Sequence, residues 1–387
     1  MSKIFSQKRK KGNLLSSDRP PLDKQLLFLL LALAIFGSVM IFSASTAYAE
    51  SRFANAYYFI QRQTLWLILG FAAMFIVSRI PVNFFQRYAI PFFLFCLILL
   101  LLVPFLGSEA GGAKRWIALG PLTLQPSELS KTGLILLLSR YFAAEKVTAC
   151  MSKKKKGNVL YGIIYPILLF LSVALLVMLE KHLSCIIILG MITVSMIFLA
   201  GGNGKVLGGM CLGGGSLVTV FALSVEYTRR RITIWRNPAL YPRDGGWQTL
   251  QGLMAIGSGG LFGLGLGNSR LKHLYVSEPQ NDFIFTIVCE ELGLLGATAV
   301  LTLFALLVIR GFAVGGATSD RFSCLLGTGL SAKVAIQVLL NIGVITNALP
   351  NTGISLPFFS YGGSSLVMLF AEMGILLSLS RDAHIKR

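Results

Sequence analysis

Apolar residues in this chain gather into long runs separated by short polar connections. Runs near the ~20 residues needed to cross a bilayer recur about ten times, at 25–44, 63–80, 88–107, 127–144, 159–179, 183–200, 204–224, 283–310, 322–346 and 355–380. The pattern predicts an all-α, polytopic integral membrane protein of about ten transmembrane helices. Two connections are long, 108–126 and 225–282, and functional chemistry is expected to concentrate there. The domain division expected is a basic tail at 1–24, a single transmembrane domain at 25–380 that includes loop 225–282, and a short tail at 381–387.

Composition agrees. Of 387 residues, 55% are hydrophobic and only 13% charged, with a mean hydropathy of +0.72, which a soluble domain of this size would not tolerate. The net charge is +19, and its dense clusters are Lys8–Lys11 with Arg19 and Lys24, Lys153–Lys156, and Arg381 with Lys386 and Arg387. With ten spans all three fall on one side, which the positive-inside rule makes the cytoplasm, so both termini are expected there. Charge split among short loops beside apolar spans, with no aromatic-interleaved groove, excludes nucleic acid as the partner. Ala47-Tyr48-Ala49 after the first run imitates a signal-peptide cleavage site, but that run is longer than the ~7–15 residues of a typical signal h-region and reads as a retained span. Cys96, Cys185, Cys211, Cys289 and Cys324 fall in predicted spans and Cys150 in the lysine-rich loop; no metal-ligand spacing occurs, and free thiols are expected.

Asp282 stands where the second long loop meets an apolar run. An ionisable group at that boundary can touch a lipid-borne substrate and water together. Its alternative reading is an N-cap on a helix starting at Phe283, although Phe285 at the third helical position supplies no capping box. The loop before it carries Arg229, Arg230, Arg231, Arg236, Arg243, Arg270 and Lys272 against Glu226, Asp244 and Glu278. Either a bound polyanion or lipid headgroups would account for so cationic an outer loop. In 108–126, Glu109, Lys114 and Arg115 are framed by glycines and prolines that set turns, with Trp116 as an interfacial anchor. They line the mouth of a site or, for Glu109 and Lys114, form an ordinary surface pair. Within spans, Glu128 with Lys131, and Lys333 with Gln337 and Asn341, form polar stripes that face the bundle interior, where they and Glu290, Glu291 and Glu372 either hold helices together or border a polar cavity. The glycine runs 208–215 and 257–267 lack the lysine and strand-helix context of nucleotide loops and read as close-packing segments. Tyr361-Gly-Gly-Ser-Ser365 is read as an interruption of the last span beside a wet cavity.

Three blocks, Ala113-Lys-Arg-Trp-Ile-Ala-Leu-Gly-Pro-Leu-Thr-Leu-Gln-Pro-Ser-Glu-Leu-Ser-Lys131, Asn281-Asp-Phe-Ile-Phe-Thr-Ile-Val-Cys-Glu-Glu-Leu-Gly293 and Leu356-Pro-Phe-Phe-Ser-Tyr-Gly-Gly-Ser-Ser365, resemble the signature blocks of the SEDS family of FtsW, RodA and SpoVE. Tyr58–Gln63, Gly246–Gln251 and Met373–Arg381 are similar to the division and sporulation branch, with RodA-type elongation proteins as the alternative. The resemblance implies a bacterial cytoplasmic-membrane peptidoglycan glycosyltransferase that polymerises lipid II on the outer face, working with a class B penicillin-binding protein, other division proteins and membrane lipids. It places the catalytic aspartate at Asp282 and the conserved loop glutamate and lysine at Glu109 and Lys114. Arg115, Arg231, Arg243, Gln251, Glu278 and Ser364 complete the expected substrate contacts. Where the family shows Gln/Glu-Pro followed by Asp or His, this chain has Glu180-Lys181-His182.

The chemistry of such a reaction needs a base on the attacking hydroxyl and positive charge at the departing diphosphate. A divalent cation, Mg or Mn, is a further candidate for the second task, but no ligand cluster in the sequence demands one. A lipid II flippase would share the spans, cavity and cationic loops without needing a base. A division scaffold would explain the basic tail but not the polar residues gathered on the outer side.

Overall fold

The computed structural model describes residues 22–383 apart from 111–112, 121, 153–158, 203, 205–206, 210–225 and 243–245. Its helices are α1 (Lys24–Phe53), α2 (Tyr58–Val77), α3 (Val82–Leu106), α4 (Pro126–Ala143), α5 (Glu145–Ser152), α6 (Tyr165–Leu179, entered through a π-turn at Leu160–Ile164), α7 (Leu183–Leu199), α8 (Glu226–Arg236), α9 (Gly246–Ser258), α10 (Ile284–Gly316), α11 (Arg321–Ile345) and α12 (Gly363–Asp382). Every predicted run except 204–224 has its helix, and that run lies largely outside the described residues. Among the described residues, seven helices are long and apolar enough to cross a membrane.

Local chemistry sets the helix ends. The Asp23 side chain accepts from the Leu26 amide at 2.9 Å and caps α1, which runs on through Ala47–Ala49 and stops at Ala54 in the left-handed region. Pro126, whose missing N–H would be unpaired there anyway, opens α4. Asp320 caps α11 through the amides of Phe322 and Ser323.

Two expectations are corrected. Residues 107–124 are not an irregular loop but a three-stranded antiparallel sheet, β1 (Gly107–Ala110), β2 (Ala113–Leu119) and β3 (Leu122–Leu124). Its period-two character is hidden by glycines and by strands too short to show alternation. The last run does not begin as a helix at 355 and break; 350–362 is irregular and α12 starts only at Gly363.

Helices α4, α11 and α12 form the centre, with α11 packed against α4, α7, α10 and α12, and α2 lying along α12. Most of α4 and α11 is buried, whereas α2, α3 and α6 expose outward rows of Leu, Ile and Phe to lipid. Several of the buried charges come in pairs. Lys333 pairs with Glu372, which also accepts from Thr132, and so joins α4, α11 and α12. Lys272 meets Glu291 at 3.1 Å, and Arg310 meets Asp23 at 2.6 Å. Unpaired, each would be prohibitive in a bilayer.

The glycine-rich run after α9 folds into a break in α10. Gly293 has φ 65° and ψ −166°, so α10 is two helices in sequence. Into the gap comes 259–265, whose Leu264 and Gly265 amides donate to the Glu290 and Glu291 carbonyls while Gly260 and Leu261 carbonyls accept from Leu294 and Leu295. A Cβ on Gly263 would stand 2.2 Å from the Glu291 carbonyl oxygen, so this approach requires glycine. The run does pack closely, as its composition predicts. Irregular backbone survives here because protein hydrogen bonds satisfy it.

Candidate functional site

At the end of the bundle where α4, α7 and α12 begin lies a polar cavity of about 380 Å³. Asp282 and Asn281 enter it from the turn before α10, Arg115, Thr123 and Gln125 from the sheet and its exit, and Glu128 and Lys131 from the first turns of α4. His182, Ser184 and Cys185 at the start of α7, Gln337 of α11, the loop 353–355 and the segment 360–365 close it. These walls come from parts of the chain far apart in sequence, and most are helix starts or loops.

Asp282 is not an N-cap. The cap position of α10 is Phe283, which makes no side-chain cap bond. The Asp282 carboxylate is half-buried, close enough to Gly353 that a Cβ there would lie 3.6 Å from its Oδ2. Burial raises its pKa above the usual carboxylate value and the nearby Glu278 adds to the rise, against an opposing hydrogen bond from its own backbone amide. Its main chain is fixed from below, since Asn341 Nδ2 donates to the Asp282 carbonyl at 2.8 Å and to Ile354 O at 2.7 Å.

Arg115 lines the cavity and braces the α6–α7 turn, with Nη2 donating to Lys181 O at 2.9 Å and Nε to Glu180 O at 3.4 Å. That turn is the unusual Glu180-Lys181-His182 segment, with Lys181 at φ 52°. The Glu180 carboxyl is buried without a hydrogen-bond partner; burial pushes it up to about 8, with Arg115 opposing. His182, 3.4 Å from Ser127 Oγ through Nδ1, is pushed down to about 4 by burial and then by Arg115, so near neutral pH it is an uncharged ring. Ser364 Oγ accepts from the Gln125 amide at 3.3 Å and ties the start of α12 to the sheet.

Among the described residues, the other expected contacts do not line the cavity. Lys114 is exposed and donates to Pro104 O at 3.3 Å. The backbone of Glu109 is its cross-strand register partner, as a paired reading requires, while the Glu109 side chain lies outside what is described. Arg231 is exposed, and its Nη1 donates to Asn351 O at 3.3 Å, supporting the cavity loop from outside. Gln251 is buried in α9 away from the cavity. Glu278 is exposed and accepts from Asn281 Nδ2 at 2.7 Å, acting on Asp282 electrostatically rather than lining the site with it. Arg243 lies outside the described residues.

Sequence reasoning had Glu128, Lys131, Gln337 and Asn341 as interior stripes, and both readings of them hold. Glu128 and Lys131 pair at 2.7 Å and also floor the cavity. In the α11 stripe, Lys333 is a structural pair, Gln337 a cavity wall and Asn341 the support of Asp282. Glu290 and Glu291 are fasteners: Glu290 Oε1 accepts from the Arg270 amide at 2.9 Å, and Glu291 accepts from Ser43 Oγ at 2.7 Å and from Lys272. Lys272, expected among the cations of the outer loop, is thereby a buried tether. Gln125, Thr123 and Ser184 carried no signal of their own, because only the fold brings them to Asp282. Among the described residues no group of three His, Cys, Asp or Glu side chains could hold a metal ion.

Residues 24–385 match the cell cycle protein family FtsW/RodA/SpoVE. The chain is 37% identical to the probable peptidoglycan glycosyltransferase FtsW of Geobacter sulfurreducens, over 92% of this chain and 95% of that protein. It is 36% identical to the stage V sporulation protein E of Bacillus subtilis, over 93% and 97% respectively. Among solved structures it resembles a chain of a peptidoglycan synthase complex that coordinates polymerization and crosslinking, with a TM-score of 0.78 at 28% identity over 94% of this chain and 99% of that one. It also resembles the rod shape determining protein RodA of Thermus thermophilus, with a TM-score of 0.68 at 29% identity over 94% and 98%. With matches along nearly its whole length, the chain belongs to the FtsW/RodA/SpoVE family.

Proposed function

We propose that this protein is a peptidoglycan glycosyltransferase of the division or sporulation branch, which polymerises lipid II at the outer face of the cytoplasmic membrane. The observation that carries the reading is that Asp282 and Arg115 stand on the walls of one polar cavity. The chain's relatives named FtsW and stage V sporulation protein E support the branch.

Asp282 takes the proton from the acceptor sugar hydroxyl as that oxygen attacks the anomeric carbon of the donor, and the bond to the polyprenyl diphosphate breaks on the opposite face, inverting the centre. A base positioned this way is worth roughly 10²–10⁴ in rate. Burial, with Glu278 adding to it, raises the pKa of Asp282 and makes it a better proton acceptor than a solvated aspartate. Arg115 faces the leaving diphosphate, its guanidinium pre-set by the Glu180 and Lys181 carbonyls so that little reorganisation is needed as charge develops. Neutral His182 lets Arg115 act without a second competing cation beside it. A class B penicillin-binding protein that cross-links the product is the proposed partner.

Purified protein with that partner is expected to make glycan from lipid II in detergent, where a flippase has no two sides to move between. Asp282→Asn is expected to abolish polymer with folding and partner binding intact; full activity in that variant would assign the base to another residue.

A further inference from the structure

We propose that the end of the α3–α4 pair remote from Asp282 is a binding site for the phosphate of a net-anionic phospholipid. Arg140 sits twelve residues beyond Glu128 on α4, about 18 Å away along a helix axis rising 1.5 Å per residue, so this site faces the opposite leaflet from the cavity. There Asn83, Gln86, Arg87 and Arg140 line an open pocket of about 460 Å³, with no acid among them. Asn83, Gln86 and Arg87 fall at i, i+3 and i+4 on one face of the first turns of α3.

Arg140 is held by a defect in the neighbouring helix. Pro91 within α3 has no N–H to offer the Arg87 carbonyl, four residues back. Arg140 Nη1 takes that place, donating to Arg87 O at 2.9 Å and to Gln86 O at 2.8 Å. The guanidinium is thereby fixed in orientation beside Arg87, whose own guanidinium has no partner among the described residues. Two forks with adjacent amide side chains suit a phosphate, which takes paired N–H bonds. Exposed Phe84 and Tyr88, with ring centroids 4.5 Å apart, flank the pocket as headgroup-level anchors do. Topology alone explains the sign of the charge, but not a guanidinium clamped on a proline gap.

The test is native mass spectrometry of the full-length protein exchanged into micelles containing phosphatidylglycerol or phosphatidylcholine, following the last lipid retained. The protein is expected to retain phosphatidylglycerol selectively, and Arg87→Gln to weaken that retention about fivefold, as loss of one juxtamembrane cation does, with its thermal midpoint and glycan synthesis unchanged. Equal phosphatidylglycerol retention in Arg87→Gln overturns the proposal. So does displacement of the lipid by inorganic phosphate at matched concentration, which would mark a site for a free anion. No arm uses lipid II, so the outcome is independent of the polymerase reading.

Discussion

Asn341 on α11 spends both hydrogens of one amide on two carbonyls, those of Asp282 and Ile354, joining the turn that carries the acid to the loop that walls its cavity. Asn341→Leu leaves both carbonyls without a donor, at a cost of roughly 1–3 kcal/mol. Polymerisation by this variant is expected to fall by about 10²-fold, since displacement of a reacting group by about 1 Å is enough for that. Thermal unfolding and single-turnover glycan synthesis, measured on the same preparation, separate the two effects.

Gly353 has φ 70° and lies against the Asp282 carboxylate. Gly353→Ala forces a Cβ into a left-handed residue at about 1–2 kcal/mol and sets a methyl group against Oδ2. The expected result is a modest drop in thermal midpoint with a disproportionate loss of rate, read from polymer length on gels.

The pH dependence follows from the sign of the Asp282 shift. A base works only when deprotonated, and burial with Glu278 raises its pKa, so activity is lost as pH falls through a midpoint above the ordinary aspartate range. Glu278→Gln removes one cause of the rise and is expected to move the acid limb of the pH–rate profile to lower pH. An acid limb that stays in place in Glu278→Gln would detach the titration from Asp282.

The Lys333–Glu372 pair sits where α4, α11 and α12 meet. Lys333→Met strands a buried carboxylate and is expected to destabilise the protein by about 3–5 kcal/mol, while the double variant Lys333→Met with Glu372→Leu recovers most of that loss. Differential scanning of the two variants decides the matter.

The spans were legible because lipid imposes one requirement, about twenty apolar residues, that few other constraints override. Asp282 was legible because its charge interrupts that pattern. What could not be read is how walls from six parts of the chain meet: Thr123, Gln125 and Ser184 are ordinary polar residues until the bundle places them together. Arg231 and Gln251 had charge or polarity in the right loop but face elsewhere, because side-chain direction depends on helix phase that α8 and α9, amphipathic and short, do not fix by sequence alone. The sheet escaped notice for the same reason that the α12 start was misplaced, since glycine and proline mark where regular structure stops without saying what replaces it.

The break at Gly293 has a mechanical consequence. The rod beyond it, 294–316, is roughly 34 Å long at 1.5 Å per residue, enough by itself to match a bilayer's hydrocarbon thickness. The stub 284–292 is instead stapled to 259–272 through Glu290 and Glu291. A thicker or thinner membrane is accommodated by tilting of the rod, and the loop 259–265, bonded to both sides of Gly293, is where that tilt meets the stub.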